Sequence, residues 1–350
     1  MRLLALLLLS VASLLAVDGT VQNGTSGKAQ AGATVSLFNL TQNGPQMITS
    51  VKTAADGKFA FTVPAGSDTP GPKMVQAVYD GVVYSRMIPP GSPSSNLTVE
   101  VYQSTAKSPA KVATHMMLLE PSGGKLNVNE SFLYRNDSKL TYNDPDHGTV
   151  RFYLPPETNG QVSLNVLSPN SVPVRKAADK TEQPNIYKLD FALKPGESRI
   201  DLNYQIPFTS PGKFETKVLY KDPNTKVLAP VGVTLTAAGL QNVGQEPQTK
   251  ATIYNFDGPD LRIQVDGNGT LSRAGDAGQG DGGGDSGDGG AQISELMPQL
   301  YEKTSTVDGV GATLASVKWI LLLIFGMLAA GFAYLYRRSP ETPAAHESRH

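Results

Sequence analysis

The chain has 350 residues, of which 35 are glycine and 25 are proline, and only 17% are charged, which is typical of short strands joined by many turns. Its formal net charge is −1 and it has no Lys/Arg-rich block, so no nucleic-acid-binding surface is expected. Cysteine is absent, which excludes disulfides, thiolate metal sites, a cysteine nucleophile and a lipidated cysteine anchor.

Residues 1–16 have the pattern of a secretory signal peptide. Arg2 precedes an apolar run from Leu3 to Leu9, and small residues follow up to Ala16, so cleavage is predicted near residues 12–16. The alternative is an uncleaved N-terminal anchor. The sequence therefore predicts export.

Residues 17–103 show strand-like runs separated by turn signals at short intervals. Asn43-Gly44, Asp56-Gly57 and Asp80-Gly81 each divide two such runs. At Asp56-Gly57 we expect a tight hairpin whose second strand places Phe59, Phe61 and Val63 on one face. With about seven short strands and no helical periodicity, this region is predicted to be an antiparallel β-sandwich.

Three stretches of this region resemble a known family. "GTVQN", "AGATVSLFN" and "TAADGKFAFTVPAG" follow the order seen in carboxypeptidase regulatory-like domains, which are similar to transthyretin and to some starch-binding modules. The connection at 66–73 is longer than in that pattern. The resemblance implies a fold and no particular ligand. It also implies an accessory module without its enzyme, since nothing here matches the separate catalytic domain of the zinc carboxypeptidases.

A polar linker is predicted at 104–111, and a second all-β region follows at 112–270. Val150, Phe152 and Leu154 alternate with polar residues, as do Val162, Leu164 and Val166. "IYKLDFALKPGESRIDLNYQIPF" reads as a hairpin that turns at Pro195-Gly196. We predict a second antiparallel sandwich of immunoglobulin- or fibronectin-like architecture, so the fold class is all-β with two sandwiches in tandem.

The C-terminal part predicts a membrane anchor. Residues 274–291 form a Gly/Asp-rich stretch that is expected to be a disordered linker. For residues 292–303 two alternatives stay open, a short amphipathic helix or none. Residues 317–336 are apolar and uncharged from Trp319 onward, and Arg337 and Arg338 follow, which predicts one transmembrane helix with residues 337–350 as a cytoplasmic tail. The N-terminal domains would then lie outside the cytoplasm.

Few residues of the exported region suggest chemistry. His147 lies beside Asp144 and Asp146, a composition that favours a polar loop over a metal site. Asp266, Asn268 and Thr270 begin like a calcium loop, but Leu271 and Ala277 stand where that loop needs Gly and Glu. Phosphate-binding, dinucleotide-binding and serine-hydrolase motifs are missing, so no cofactor and no nucleotide are expected.

Six Asn-x-Ser/Thr sequons begin at Asn23, Asn39, Asn96, Asn129, Asn136 and Asn268, but the short signal peptide and the lack of cysteine favour a bacterial envelope.

These observations predict a membrane-anchored, non-catalytic binding or scaffolding protein of the bacterial cell envelope, with a protein or glycan partner. The alternative is carbohydrate binding, with Tyr79, Tyr84 and Tyr102 of the first domain as candidate ring contacts. The second domain offers further candidates, which are Tyr134, Tyr142 and Tyr153. A third hypothesis, a hydrolase or metalloenzyme, would need His115 or His147 beside a carboxylate pair in a cleft.

Overall fold

The computed structural model describes residues 17–42, 44–63, 71–220 and 225–271, which all belong to one compact unit of the chain. Apart from one short 3₁₀ turn, the regular secondary structure of these residues is all β-strand, so the predicted all-β class is confirmed. The described residues include no helix that is long and apolar enough to cross a membrane. The predicted signal peptide (1–16), linker (274–291), transmembrane helix (317–336) and tail (337–350) lie outside the described residues.

The first β region consists of two four-stranded sheets that face each other. Its strands are β1 (Val17–Asn23), β2 (Lys28–Ala29), β3 (Thr34–Thr41), β4 (Gly44–Lys52), β5 (Lys58–Phe61), β6 (Lys73–Tyr79), β7 (Val82–Ile88) and β8 (Leu97–Val101). In one sheet β1 pairs with β2, β5 and β8, and in the other the order is β4-β3-β6-β7. Between the sheets lies an apolar core that includes Val21, Leu37, Phe59 and Val99.

The turn at Asp80-Gly81 forms as predicted. Tyr79 pairs with Val82, so β6 and β7 are joined by a two-residue loop. Asp80 has a φ of 49° and Gly81 a φ of 74°, the two left-handed positions that this kind of hairpin turn requires. The predicted hairpin at Asn43-Gly44 is also present as a β3–β4 pair, although Asn43 itself lies outside the described residues.

The predicted hairpin at Asp56-Gly57 is wrong. The chain does turn there, with Gly57 at a φ of 74° and its N–H 2.9 Å from the carbonyl oxygen of Ala54. However, β4 pairs with β3 while β5 pairs with β1, so the turn carries the chain from one sheet to the other. The predicted face is confirmed, because Phe59, Phe61 and Val63 are all buried. Alternation locates the buried face of a strand but does not identify its pairing partner.

The second β region is built on one eight-stranded sheet of order β15-β14-β18-β11-β10-β20-β23-β22. Two three-stranded sheets, β13-β17-β16 and β19-β24-β21, contribute to the same core. The strands are β10 (Lys111–Ser122), β11 (Lys125–Asn136), β12 (Thr141–Tyr142), β13 (Val150–Tyr153), β14 (Ser163–Leu167), β15 (Val174–Lys176), β16 (Asp179–Lys180), β17 (Ile186–Leu189), β18 (Gly196–Pro207), β19 (Gly212–Lys217), β20 (Thr225–Ala229), β21 (Val233–Thr236), β22 (Leu240–Gln245), β23 (Thr252–Phe256) and β24 (Asp260–Gly267). A short 3₁₀ turn occupies Pro156–Thr158.

The expectation of purely antiparallel sheets is wrong. β10 pairs in parallel with β20 in the middle of the eight-stranded sheet, and β1 pairs in parallel with β8. A parallel pair needs a long crossover connection, which leaves no short turn signal in the sequence. This topology also differs from the two antiparallel sheets of immunoglobulin domains.

The predicted hairpin around Pro195-Gly196 is wrong for the same reason as the one at Asp56-Gly57. β17 pairs with β13 and β16, whereas β18 pairs with β11 and β14. The predicted inward residues are confirmed in both strands, since Tyr187, Leu189, Ile200 and Leu202 are buried.

The two β regions are joined by a set of contacts that we call the seam. The predicted linker at 104–111 begins with a strand, β9 (Ser104–Thr105), that pairs in parallel with β12 of the second region. The Ser104 N–H donates to Asp80 Oδ2 at 2.7 Å, and the hydroxyl of Tyr84 lies 2.8 Å from that of Thr141. The ammonium group of Lys194 lies 5.1 Å from the centre of the Tyr84 ring. The seam thus connects the first β region to the edge of the second.

Candidate functional site

Among the described residues, the second β region carries a groove of about 780 Å³. We call it the Arg151 groove. The side chains that line it come from several separate parts of the chain. The charged side chains and the less buried aromatic ones among them are Lys111, Tyr142, Asp144, His147, Arg151 and Tyr220. Polar and aromatic groups therefore meet in one place.

A tightly bonded loop between β12 and β13 forms one wall of the groove. Asp144 Oδ1 accepts hydrogen bonds from the backbone N–H of His147 at 3.1 Å and lies 3.0 Å from its ring Nδ1. The Gly148 N–H donates to the Asp144 carbonyl at 2.9 Å, and Thr149 Oγ1 accepts from the Asp144 N–H at 3.2 Å. The hydrogen bond from the His147 backbone is the main cause that holds the pKa of Asp144 below its usual range. The loop thus keeps Asp144 ionised and His147 at the rim.

Arg151 extends from the start of β13, where Val150 and Phe152 face the core and leave it on the outer side. Its Nε and Nη2 donate to the carbonyl oxygen of His147 at 3.2 and 3.1 Å. Its backbone N–H donates to the hydroxyl of Tyr220 at 3.0 Å, and that hydroxyl donates to the Arg151 carbonyl. Both ends of the arginine are therefore fixed.

Aromatic rings form the back of the groove. The rings of Tyr134 and Tyr220 meet edge to face, with centroids 5.7 Å apart. Phe132 lies 5.9 Å from Tyr220, and its other side stacks on His115 at 4.2 Å. Burial raises the pKa of Tyr220 to about 12, so its hydroxyl stays protonated at neutral pH.

His115 lies behind this aromatic wall, inside the core. Its Nε2 is 2.7 Å from Glu130 Oε1, and its Nδ1 is 3.1 Å from the hydroxyl of Thr225. The three residues come from the adjacent strands β10, β11 and β20. His115 is only 3% exposed, so a substrate could not reach it without opening the core.

The hydrolase hypothesis required a histidine beside a carboxylate pair in a cleft. The structure gives His115 one carboxylate in the core and His147 one carboxylate at the groove rim. Within the described ranges, no group of three or more His, Asp or Glu residues could hold a metal ion. The Asp266 carboxylate instead accepts from the Ser210 hydroxyl at 3.4 Å.

Tyr79, Tyr84 and Tyr102, the predicted glycan contacts, lie close to the seam. Tyr84 is 3% exposed and donates to the Tyr102 carbonyl at 2.8 Å, so its ring is covered in this conformation. Tyr79 and Tyr102 are half-buried, with their hydroxyls bonded to Asn23 and Glu100. A sugar-binding role for the three tyrosines stays a prediction.

The second set of candidate tyrosines is divided. Tyr142 and Tyr134 both line the Arg151 groove, although Tyr134 is buried. Tyr153 lies elsewhere, with the ammonium of Lys217 5.7 Å from its ring centre. Sequence reasoning missed Lys111, Arg151 and Tyr220, because only the tertiary fold brings these distant positions together.

Comparison with known proteins identifies no family, since no protein-family model and no curated protein matches the chain. Among solved structures it is similar to an M1 zinc metallopeptidase from Deinococcus radiodurans, with 13% identity over 44% of this chain and 42% of that chain and a TM-score of 0.23. A substituted form of that enzyme bound to a Tyr-Ser-Ala substrate gives 14% identity, the same coverages and a TM-score of 0.24. The chain spans less than half the length of these structures, and likenesses this weak carry no argument about fold or activity. The resemblance of residues 17–103 to carboxypeptidase regulatory-like domains stays a prediction.

Proposed function

We propose that this chain is a non-catalytic binding or scaffolding protein of the bacterial cell envelope. In this proposal residues 1–16 direct export, residues 317–336 span the membrane once, and both β regions lie outside the cytoplasm. Residues 274–291 act as the tether between them and the membrane, and residues 337–350 form the cytoplasmic tail. The hydrophobic and charge patterns of the sequence support this arrangement.

The Arg151 groove is the observation that carries the binding role. Its side chains are fixed by bonds to one another and to the backbone, as Arg151 and Tyr220 illustrate. Such a preformed surface binds a partner at a lower cost in conformational entropy than a mobile one. Its best-placed ionisable pair, His147 with Asp144, is a structural contact of the loop.

Photocrosslinking of the full chain in intact cells tests this proposal. A benzophenone amino acid would replace Gln183, an exposed residue that lines the groove, and in a matched control it would replace Arg262, which is exposed outside the groove. We expect adducts with an envelope protein or glycan at position 183 that are absent at position 262. Adducts at neither position, in cells that produce both variants normally, would contradict the proposal.

Carbohydrate binding is the second candidate function. Tyr142 and Tyr220 line the Arg151 groove and are half-buried, so part of each side chain is accessible there. Aromatic rings with a few fixed polar groups are the usual walls of small-ligand sites. This observation favours the groove over the seam tyrosines as the place where a glycan would bind.

A further inference from the structure

We propose that the Arg151 groove binds a carboxylated saccharide. Arg151 and Lys111 would hold the carboxylate, and the rings of Tyr142 and Tyr220 would contact the sugar. This inference rests on the proposed binding function and narrows it to one class of ligand.

Charge is the first argument. Lys111, His147 and Arg151 bring three basic side chains to the groove, against the single carboxylate of Asp144. That carboxylate is occupied by the backbone and ring of His147. Neither Lys111 nor Arg151 forms an ion pair with a described carboxylate, although the charge of Arg151 is a smaller cause of the lowered pKa of Asp144. The groove therefore attracts an anion.

The second argument is the geometry of Arg151. A guanidinium group carries five N–H donors in a planar fork, which matches the two oxygens of a carboxylate. Nε and Nη2 of Arg151 already donate to the His147 carbonyl, and this contact fixes the plane of the group. The remaining N–H groups can donate to a ligand without first losing side-chain freedom.

The aromatic walls favour an organic anion over an inorganic one. Inorganic anions are bound by hydrogen-bond donors and by charge, and contact with two half-buried aromatic rings would not stabilise them. Sugar rings, in contrast, present C–H faces that pack on aromatic surface, and hydroxyl groups that need a few polar partners. Burial is the main cause that raises the pKa of Tyr142, so its hydroxyl remains a donor at neutral pH. The groove volume of about 780 Å³ lies within the usual range of roughly 300–1,000 Å³ for small-ligand sites.

Isothermal titration calorimetry with the purified full chain tests the inference. The probes are a galacturonate trisaccharide, the neutral galactose trisaccharide of the same linkage, and inorganic phosphate. We expect saturable binding of the acidic trisaccharide that weakens as salt is added, and affinity at least about tenfold lower for the other two probes. Arg151→Gln should lower the affinity for the acidic trisaccharide about tenfold or more, because it removes the charge and the fork together.

Two control variants separate the site from the fold. Arg262→Gln removes an exposed arginine outside the groove and should bind like the original chain. Tyr142→Phe keeps the ring and removes one hydroxyl donor, so it should lose less affinity than Tyr142→Ala, which should lose several-fold. Circular dichroism of each variant confirms that it has folded.

Three outcomes would overturn the inference. Equal affinity for the acidic and neutral trisaccharides would make the groove a neutral glycan site. Phosphate binding as tight as that of the acidic trisaccharide would make it a general anion site. No binding of the acidic trisaccharide, together with crosslinks at position 183 in cells, would refute the ligand class while the proposed binding function stands.

Discussion

Lys194 is a basic residue held in an unfavourable environment at the seam. Its ammonium group lies over the Tyr84 ring, and burial lowers its pKa to about 8. In an unfolded chain a lysine has a pKa of about 10.4. Between these two values the unfolded state binds more protons than the folded state, so stability should rise with pH in that window.

We therefore expect the free energy of unfolding to increase between pH 8 and pH 9.5, and the increase to become smaller in Lys194→Met. Burial also lowers the pKa of Lys226, so part of the increase should remain in that variant. A full proton difference corresponds to about 1.4 kcal/mol per pH unit, and partial exposure of Lys194 reduces that slope. Urea unfolding at several pH values across this range measures the slope of the free energy of unfolding against pH. Lys213→Met, at an exposed position, serves as the control and should keep the slope. The raised pKa values of Tyr84 and Tyr102 act in the opposite sense, but only above about pH 10. Identical slopes in Lys194→Met and the original chain would show that Lys194 titrates normally.

The hydrogen-bonded pair of His115 and Glu130 places two polar side chains in the core, where an unpaired polar group would destabilise the fold. Glu130 Oε1 contacts His115, while its Oε2 is buried without a hydrogen-bond partner among the described residues. Glu130→Ala would leave the imidazole without that partner and should lower the free energy of unfolding by about 3 kcal/mol or more. Glu130→Gln keeps an acceptor and should cost about 1–2 kcal/mol.

Chemical denaturation of these two variants measures the difference. Glu197→Gln is the control, because it breaks a half-exposed pair with Arg135 and should cost less than about 1 kcal/mol. Equal stability of Glu130→Ala and Glu130→Gln would mean that the hydrogen bond to His115 contributes nothing.

Three of the six sequons have a buried asparagine, which bears on whether the folded chain could carry a glycan there. Asn23, Asn39 and Asn136 are 3%, 8% and 2% exposed. The Nδ2 of Asn136 donates to the carbonyls of Leu140 and Leu193 at 2.7 and 3.0 Å. A glycan on that nitrogen would replace one of its two donating hydrogens at a site that is only 2% exposed, so the folded chain could not carry one there.

At the scale of elements, the turn at Asp80-Gly81 has two tasks. Asp80 takes a φ of 49° in the hairpin, and its side chain and carbonyl accept from the N–H and hydroxyl of Ser104 at 2.7 and 2.9 Å. Asp80→Asn keeps both the tolerance for this backbone conformation and a side-chain acceptor, so it should change stability by less than about 0.5 kcal/mol. Asp80→Val puts a β-branched residue at positive φ and loses the acceptor, at a cost of about 2 kcal/mol or more. Thermal unfolding of both variants measures the contrast, and similar melting temperatures would contradict it.

Sequence patterns predicted faces well and pairings poorly. Alternating residues such as Val150 and Phe152 are buried as expected, because period 2 follows directly from strand geometry. The longest hairpin, β10 with β11, was not predicted, although it turns at Gly123-Gly124 with φ values of 59° and 76°. β10 is buried along almost its whole length, so its sequence does not alternate. Pairing partners depend on contacts between distant segments, which no local pattern contains.

At the scale of the whole molecule, the candidate site could not be predicted either, because it too depends on contacts between distant segments. The Arg151 groove combines Lys111, Tyr142, Arg151 and Tyr220, which lie on four different segments. Of these, only Tyr142 was predicted as a candidate contact, from its residue type alone. The loop at His147 was correctly predicted to be polar, since its own composition determines it. The seam could not be predicted either, because the segment at 104–111 looked like a linker until its pairing with β12 was known.

The seam leads to a prediction about the cooperativity of the whole molecule. Tyr84 of the first region donates to the Tyr102 carbonyl, and its hydroxyl accepts from that of Thr141, which is fully buried in the second region. We expect the two β regions of the full chain to melt in one calorimetric transition.

Tyr84→Ala removes a buried ring together with both hydrogen bonds, a loss of about 3–5 kcal/mol. It should split that transition in two, with the first region melting at the lower temperature. Tyr254→Ala removes a buried ring from the second core outside the seam, so it should shift the single transition without splitting it. A single shifted transition for Tyr84→Ala as well would mean that other contacts of the seam couple the two regions without Tyr84.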